Sequence, residues 1–183
     1  MDSYIIETEQ LGLRELTADD LHAWHAILSD PETMRFYPRP FDLEKTRSWI
    51  DWSVDNYRKY GFGLWAVTLK ENGQFIGDCG ITMQNIHGDG VMLPEIGFHI
   101  DKRFQRMGYA TSAARACLKY AFERTAFGEV FCYQKWSNLP SRRVAEKMGM
   151  TLREEYDDPK NTKTSVFSIT RAEYLASRDG RAD

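Results

Sequence analysis

Apolar positions recur with two different periods along this chain, and the switches between them mark out its elements. Residues 5–16 alternate loosely between apolar and polar side chains, as a strand with one buried face does. Thr17-Ala18-Asp19-Asp20 then supplies a capping residue and first-turn acids for a helix running to Leu28. Pro31, Pro38 and Pro40 interrupt the chain around Phe36 and Tyr37. A second helix follows over Leu43–Tyr60, with Ile50, Val54 and Tyr57 on one face. Residues 64–69 and 75–83 read as strands joined at Glu71-Asn72-Gly73, which predicts a hairpin.

Beyond a polar, glycine-containing loop at 85–90, residues 95–100 form another strand. Ala110, Ala113, Ala114, Cys117, Leu118, Ala121 and Phe122 then share one helical face, predicting a helix over 110–124. Gly128 ends that unit, and residues 130–133 are short and β-prone. Asn138-Leu139-Pro140-Ser141 opens a further helix, with Asn138 as its cap and Gly149 at its C-terminal end. Residues 151–156 and 164–169 predict a last hairpin around Asp157-Asp158-Pro159, followed by a short helix to about Ser177. A strand, helix and strand in succession make a right-handed crossover, which places 95–100 parallel to 130–133 within an otherwise antiparallel sheet.

At 183 residues, with 42% hydrophobic, 13% aromatic and 28% charged residues, the chain reads as one globular domain over 1–183. A net charge of −3 argues against a nucleic-acid surface, so an anionic ligand needs a local site. Cys79, Cys117 and Cys132 lie far apart in apolar runs, which fits reduced core thiols rather than disulfides or a metal knuckle. His22 and His25 stand one helical turn apart without a third ligand, so no metal is expected. No run approaches the ~18 apolar residues of a membrane span, and the start of the chain lacks a signal-peptide pattern. A cytoplasmic location is therefore expected.

The stretch with most chemical content is Gln105-Arg106-Met107-Gly108-Tyr109-Ala110, between a strand and a helix. The first N–H groups of a helix have no intrahelical partner and carry roughly half a positive charge, which favours an anion such as phosphate. Gly108 permits a close backbone approach, and Lys102, Arg103 and Arg106 add cationic side chains.

This order of motifs resembles the GNAT superfamily of N-acetyltransferases, and within it the RimJ/RimL-like branch, over most of the chain. Gln105 to Ala110 is similar to the family's Q/R-x-x-G-x-G/A loop, Glu95-Ile96-Gly97-Phe98 to the strand before it, and residues 8–14 to the opening strand. Asn138-Leu139-Pro140-Ser141, with Glu146-Lys147-Met148-Gly149-Met150 beyond it, supplies the fourth element. The resemblance implies an α+β fold: a mixed, mostly antiparallel sheet of about six or seven strands, one parallel pair splayed at the cofactor site, and about four flanking helices. It also implies acetyl-CoA as acyl donor and no metal.

By that resemblance, the backbone of Phe98, His99 and Ile100 pairs with the pantetheine arm. The amides over Gln105, Arg106, Met107, Gly108, Tyr109, Ala110 and Thr111 hold the pyrophosphate. Asn138 contacts the pantetheine, and Ser141 hydrogen-bonds the departing sulfur. Many relatives place a tyrosine acid where this chain has Ala145. Phe36, Tyr37 and Trp52 are candidates to line the acceptor pocket, while Trp24, Trp49 and Trp65 belong to the core with Trp52 shared between the two readings.

Acyl transfer requires a neutral amine, a donor for the oxyanion and a proton for the thiolate. An α-amine is roughly a tenth neutral at pH 7, whereas a lysine costs about 4.6 kcal/mol to deprotonate. Glu95 is the candidate base, acting through water, and a backbone N–H of Phe98 or His99 the oxyanion donor. The acceptor is a protein N-terminal amine or a small-molecule amine, and the protein a monomer or homodimer. The alternative is the same fold serving as a catalytically silent CoA-binding sensor or interaction module.

Overall fold

The first apolar stretch turns back on itself instead of running on as one strand. The computed structural model describes residues 3–179, and β1 (Ile6–Glu7) pairs antiparallel with β2 (Leu11–Glu15), Ile6 opposite Leu13. Thr8 closes the turn: its N–H donates to the Leu11 carbonyl at 2.9 Å, and its hydroxyl accepts from the Leu11 N–H at 3.0 Å. β2 pairs with β3 (Leu64–Leu69), and β3 with β4 (Phe75–Gln84). With β5 (Leu93–Ile100), β6 (Glu129–Lys135), β7 (Thr151–Asp158) and β8 (Thr162–Thr170), the strand order is β1-β2-β3-β4-β5-β6-β8-β7. The sheet is mixed and mostly antiparallel, as expected, and β5 and β6 are the parallel pair, with Glu95 opposite Phe131. Its eight strands exceed the expected six or seven because residues 5–16 supply two.

There are five α-helices among the described residues, against about four expected: α1 (Leu21–Leu28), α2 (Leu43–Tyr60), α3 (Tyr109–Arg124), α4 (Leu139–Lys147) and α5 (Arg171–Asp179). The segment before α1 is a 3-10 turn over Ala18–Asp20, because Asp20 folds back to accept the Thr17 N–H at 2.9 Å and a two-pronged bond from Arg14 at 2.7 and 2.8 Å. α2 has the bounds its pattern predicts, and Asp42 caps it by accepting the Lys45 N–H at 2.7 Å.

The described residues pack as two compact units, 3–82 with 97–117 and 83–96 with 118–179. In the first, Trp24, Leu28, Met34, Ile50, Leu64 and Ala66 form the core, and Phe41, Trp49 and Trp52 pack against it half-buried. Trp24 and Trp65 are fully buried, as read from the sequence, whereas Trp49 and Trp52 reach the border of this core. Cys79 and Cys117 are free thiols there, their sulfurs 3.6 Å apart.

In the second unit, β6 alternates buried and half-buried residues, and β8 places Ile169 opposite Val130 and Phe167 opposite Cys132. Arg171 closes the C-terminal end of α3, donating to the carbonyls of Phe122 at 2.6 Å, Thr125 at 2.8 Å and Phe127 at 3.1 Å. Those carbonyls are the ones a helix leaves without intrahelical donors, and a cation also suits the negative end of the peptide dipoles.

Candidate active site

β5 ends at Ile100 and runs into a short, self-braced loop. Asp101 caps a 3-10 turn over Lys102–Phe104 by accepting the Arg103 N–H at 2.9 Å, and the Gln105 side-chain amide donates back to the Ile100 carbonyl at 2.9 Å. Arg106 and Gly108 both take left-handed backbone, at φ +64° and +89°. α3 then begins at Tyr109, and Ser112 N–H donates to the Gly108 carbonyl at 2.9 Å. The N–H groups of Tyr109, Ala110 and Thr111 precede that first turn's closure, in the stretch where a helix has no intrahelical acceptors.

Arg106, Met107 and Gly108 are exposed, and Tyr109, Ala110 and Thr111 half-buried. A β-carbon on Gly108 meets no atom within 4 Å, so the space over this backbone is open. Two of the three expected cations are engaged elsewhere. Lys102 Nζ lies 2.6 Å from Asp30 and 3.9 Å from Glu32, and Arg103 forks onto Asp101 at 2.6 Å. The hydrogen bond from Lys102 holds the Asp30 carboxyl down to about 2. Burial opposes the charge on Asp101, but Arg103 still keeps that carboxyl below its usual range. Attraction for an anion in this loop therefore comes chiefly from its backbone and helix terminus.

In the same unit, Phe98 and His99 are half-buried and Ile100 is buried. His99 Nδ1 lies 3.1 Å from both carboxylate oxygens of Asp78 on β4, and Nε2 lies 2.7 Å from the Tyr37 hydroxyl. Asp78 is fully buried and also accepts the Trp24 indole N–H at 2.8 Å. β4 and β5 come close enough for this because residue 77 is glycine: a β-carbon there would fall 2.0 Å from the His99 carbonyl oxygen. Of the expected acceptor-side residues, Tyr37 thus joins His99. Trp52 packs on Trp49 with centroids 6.1 Å apart, and Trp49 packs on His99 at 5.7 Å. Phe36 is half-buried and faces the Arg35 guanidinium at 4.8 Å.

The second unit carries Glu95, Asn138 and Ser141. Glu95 is 8% exposed, so it is no surface acid of a strand end. Asn138 caps α4, its Oδ1 accepting the Ser141 N–H at 3.2 Å. Burial first and Glu95 second push the Cys132 thiol far up, with the neighbouring Ser141 hydroxyl partly offsetting them. The Tyr133 phenol is likewise pushed up by burial, then by Glu95. The two expected catalytic side chains thus both lie in the surroundings of Cys132, a residue the sequence marked only as a core thiol. The Gln134 side-chain oxygen accepts from Cys132 Sγ at 3.5 Å, while its buried Nε2 has no hydrogen-bond partner among the described residues. Ala145, at the position where the resemblance implies a tyrosine acid, is fully buried.

The acidic residues of β7 are used locally. Glu154 meets His87 at 3.2 Å, Glu155 meets Arg142 at 3.3 Å, and Asp158 accepts from Thr164 at 2.8 Å. His25 Nδ1 lies 3.2 Å from Thr46 Oγ1, and His22 is exposed, so the two histidines do not converge. Asp78 is the residue sequence reasoning missed. Its signal was a lone carboxylate within the otherwise apolar run of β4.

Residues 10–151 match the family described as Acetyltransferase (GNAT) domain. The chain is similar to the Bacillus subtilis (strain 168) uncharacterized protein YkkB, 39% identical over 144 residues, 78% of this chain and 83% of that protein. It is 31% identical over 160 residues to the Aspergillus fumigatus FsC-acetyl coenzyme A-N(2)-transacetylase, covering 80% of this chain and 67% of that protein. Among solved structures, a RimL ribosomal L7/L12 alpha-N-protein acetyltransferase in complex with coenzyme A shares the fold at a TM-score of 0.76 and 15% identity, over 92% of this chain and 98% of that one.

Proposed function

Since the chain belongs to the GNAT family of acetyltransferases, we propose that it transfers the acetyl group of acetyl-CoA directly to a primary amine, on a protein N-terminus or a small molecule. The observation that carries this reading is the exposed left-handed bend at Arg106–Gly108 opening onto the start of α3. A backbone with that exposure and dipole suits a diphosphate, and an open Gly108 leaves room for it. The motifs at 95–98, 105–110 and 138–141 support a RimJ/RimL-like use of the fold. The name of the 31%-identical relative, which specifies an N(2) acceptor, supports a nitrogen acceptor.

In this reading, amides over 105–111 hold the pyrophosphate, and the backbone of Phe98, His99 and Ile100 lines up with the pantetheine arm as an added strand. An N–H of Phe98 or His99 receives the oxyanion as the amine attacks the thioester carbon. The buried Glu95 removes the ammonium proton through water. When the C–S bond breaks, the Ser141 hydroxyl donates to the departing thiolate, and Asn138 contacts the pantetheine beside it. A cytoplasmic monomer or homodimer completes the reading.

The test is thiol release from acetyl-CoA in the presence of a panel of primary amines: peptides with free N-termini, lysine derivatives and polyamines. Amine-dependent release with a matching N-acetyl product is expected. Saturable CoA binding without release for any amine would instead assign the fold to a binding module.

A further inference from the structure

We propose that Tyr37, His99 and Asp78 form a proton relay for the acceptor amine, with the Tyr37 phenol as the group that touches it. The inference rests on the acetyl-transfer reading above and adds a second proton acceptor to it.

The relay begins with a carboxylate whose burial is costly. Asp78 is fully buried, and a charge there is tolerable only with donors placed on it. Two side chains stand there: the Trp24 indole N–H at 2.8 Å, and His99 Nδ1 at 3.1 Å from each oxygen. A carboxylate on Nδ1 selects the tautomer with its proton on Nδ1, because the alternative would set two lone-pair acceptors against each other. Neutral His99 then offers the lone pair of Nε2, and the Tyr37 hydroxyl donates to it at 2.7 Å. The chain of bonds runs from a buried anion to a residue that is 38% exposed.

The imidazole is packed by aromatic rings as well. Its ring centroid lies 5.4 Å from Tyr37 and 5.7 Å from Trp49, and Tyr37 in turn packs edge-on against Phe41 at 5.7 Å. The elements around His99 therefore present Asp78 from β4, Tyr37 from the connection between α1 and α2, and the uncharged indoles of Trp24 and Trp49 from α1 and α2. Tyr57 of α2 also senses Asp78, but burial pushes its phenol up, with Glu15 and Asp20 adding to that, so it stays neutral. A plain packing site would be served as well by apolar side chains. A fixed tautomer terminating in an exposed phenol is an arrangement along which protons can move. Immediately after Tyr37 the chain lines an open hollow of about 420 Å³, with Phe41, Asp42 and Lys45 on its walls.

Acetylating an ammonium releases two protons. Glu95, through water, takes the first and leaves a neutral amine. As that nitrogen bonds to the thioester carbon it becomes positively charged, and the second proton must leave before the C–S bond breaks. It passes to the Tyr37 oxygen while the phenol's own proton passes to His99 Nε2, giving an imidazolium paired with Asp78. A phenol alone, with a pKa of ~10, is a poor base at neutral pH; here it gains one proton as it hands on another. The Ser141 hydroxyl gives its proton to the thiolate and takes one back from water, while Glu95 and, through the phenol, the imidazolium return theirs to water, so that one proton is released per acetyl group transferred. Tyr37 is the catalytic residue of this set, and His99 and Asp78 act through it.

The test has two arms on the full chain. In the first, ¹⁵N spectra of the His99 ring are recorded without any substrate. Protonated Nδ1 in the neutral ring, with a titration midpoint that moves in Tyr37→Phe, is expected. An Nε2–H tautomer, or a midpoint indifferent to Tyr37→Phe, overturns the relay. In the second, thiol release is measured with whichever panel amine the wild type turns over. Tyr37→Phe and His99→Gln are expected to lower kcat about a hundredfold at unchanged KM for acetyl-CoA. Raising the pH to 9 should not restore them, because the second proton remains on nitrogen, whereas Glu95→Gln should recover there as the amine becomes neutral by itself. Wild-type kcat in Tyr37→Phe overturns the relay alone. Absence of release by the wild type with every amine overturns the acetyl-transfer reading, and the ring spectra still decide whether the relay exists.

Discussion

The Asn138 side-chain oxygen accepts the backbone N–H of Ser141 at 3.2 Å, so the residue expected to contact pantetheine is also the cap that positions the residue expected to protonate its sulfur. Asn138→Ala should therefore cost about 1 kcal/mol of stability, read as a lower urea midpoint. Asn138→Ser, which can cap, should restore the midpoint. If Asn138 also meets the cofactor, acetyl-CoA affinity stays lowered in Asn138→Ser; equal affinity in a capped variant would confine this residue to helix initiation.

Arg14 and Asp20 form a two-pronged ion pair beneath the start of α1, with side-chain exposures of 18% and 7%. Burial works against the Asp20 charge, but Arg14 and the Thr17 N–H outweigh it and hold the carboxyl below its usual value of 3.8. A folded pKa below the unfolded one stabilises the fold above about pH 4 and loses that contribution as pH falls through the lowered value. Asp20→Asn should cost roughly 2–3 kcal/mol at pH 7, less than the 3–5 kcal/mol of a fully buried broken pair because Arg14 keeps some access to water. Urea midpoints of wild type and Asp20→Asn should converge as pH falls below 4. A constant gap from pH 7 to pH 3 would show that the pair's ionisation contributes nothing.

Ser141→Ala removes the side-chain hydroxyl without touching the α4 cap, since the cap uses the Ser141 backbone. Turnover should fall about ten- to a hundredfold while KM for acetyl-CoA holds. A thioester with a better leaving group, which needs less help from an acid, should narrow the deficit. Equal kinetics on both thioesters would remove the assigned role.

Much of the fold was legible because its signals are local. Leu43–Tyr60 starts at a capping aspartate and ends at a glycine, and its helix has the bounds read from the pattern. Residues 5–16 misled because Thr8, Glu9 and Gln10 contain no glycine or proline, and the turn there is closed by a threonine hydroxyl instead. At the site, the bend through Gly108 was readable from its residue types, but the engagement of Lys102 by Asp30 was not, since those residues are separated by 72 positions. Asp78 and His99 likewise meet only through folding. Each sits on its own strand, and their meeting depends on the backbone contact that Gly77 permits.

The central claim, that the open bend before α3 grips the diphosphate of acetyl-CoA, is tested most directly by calorimetric titration of acetyl-CoA into the wild type, Gly108→Ala and Gly108→Glu. Both variants carry about 1–2 kcal/mol of backbone strain at φ +89°, yet neither side chain meets an atom within 4 Å at its β-carbon, so both are expected to fold. The account predicts that Gly108→Ala weakens binding modestly and that Gly108→Glu, which sets a carboxylate against phosphate, abolishes it. Folded Gly108→Glu binding acetyl-CoA with wild-type affinity would contradict it.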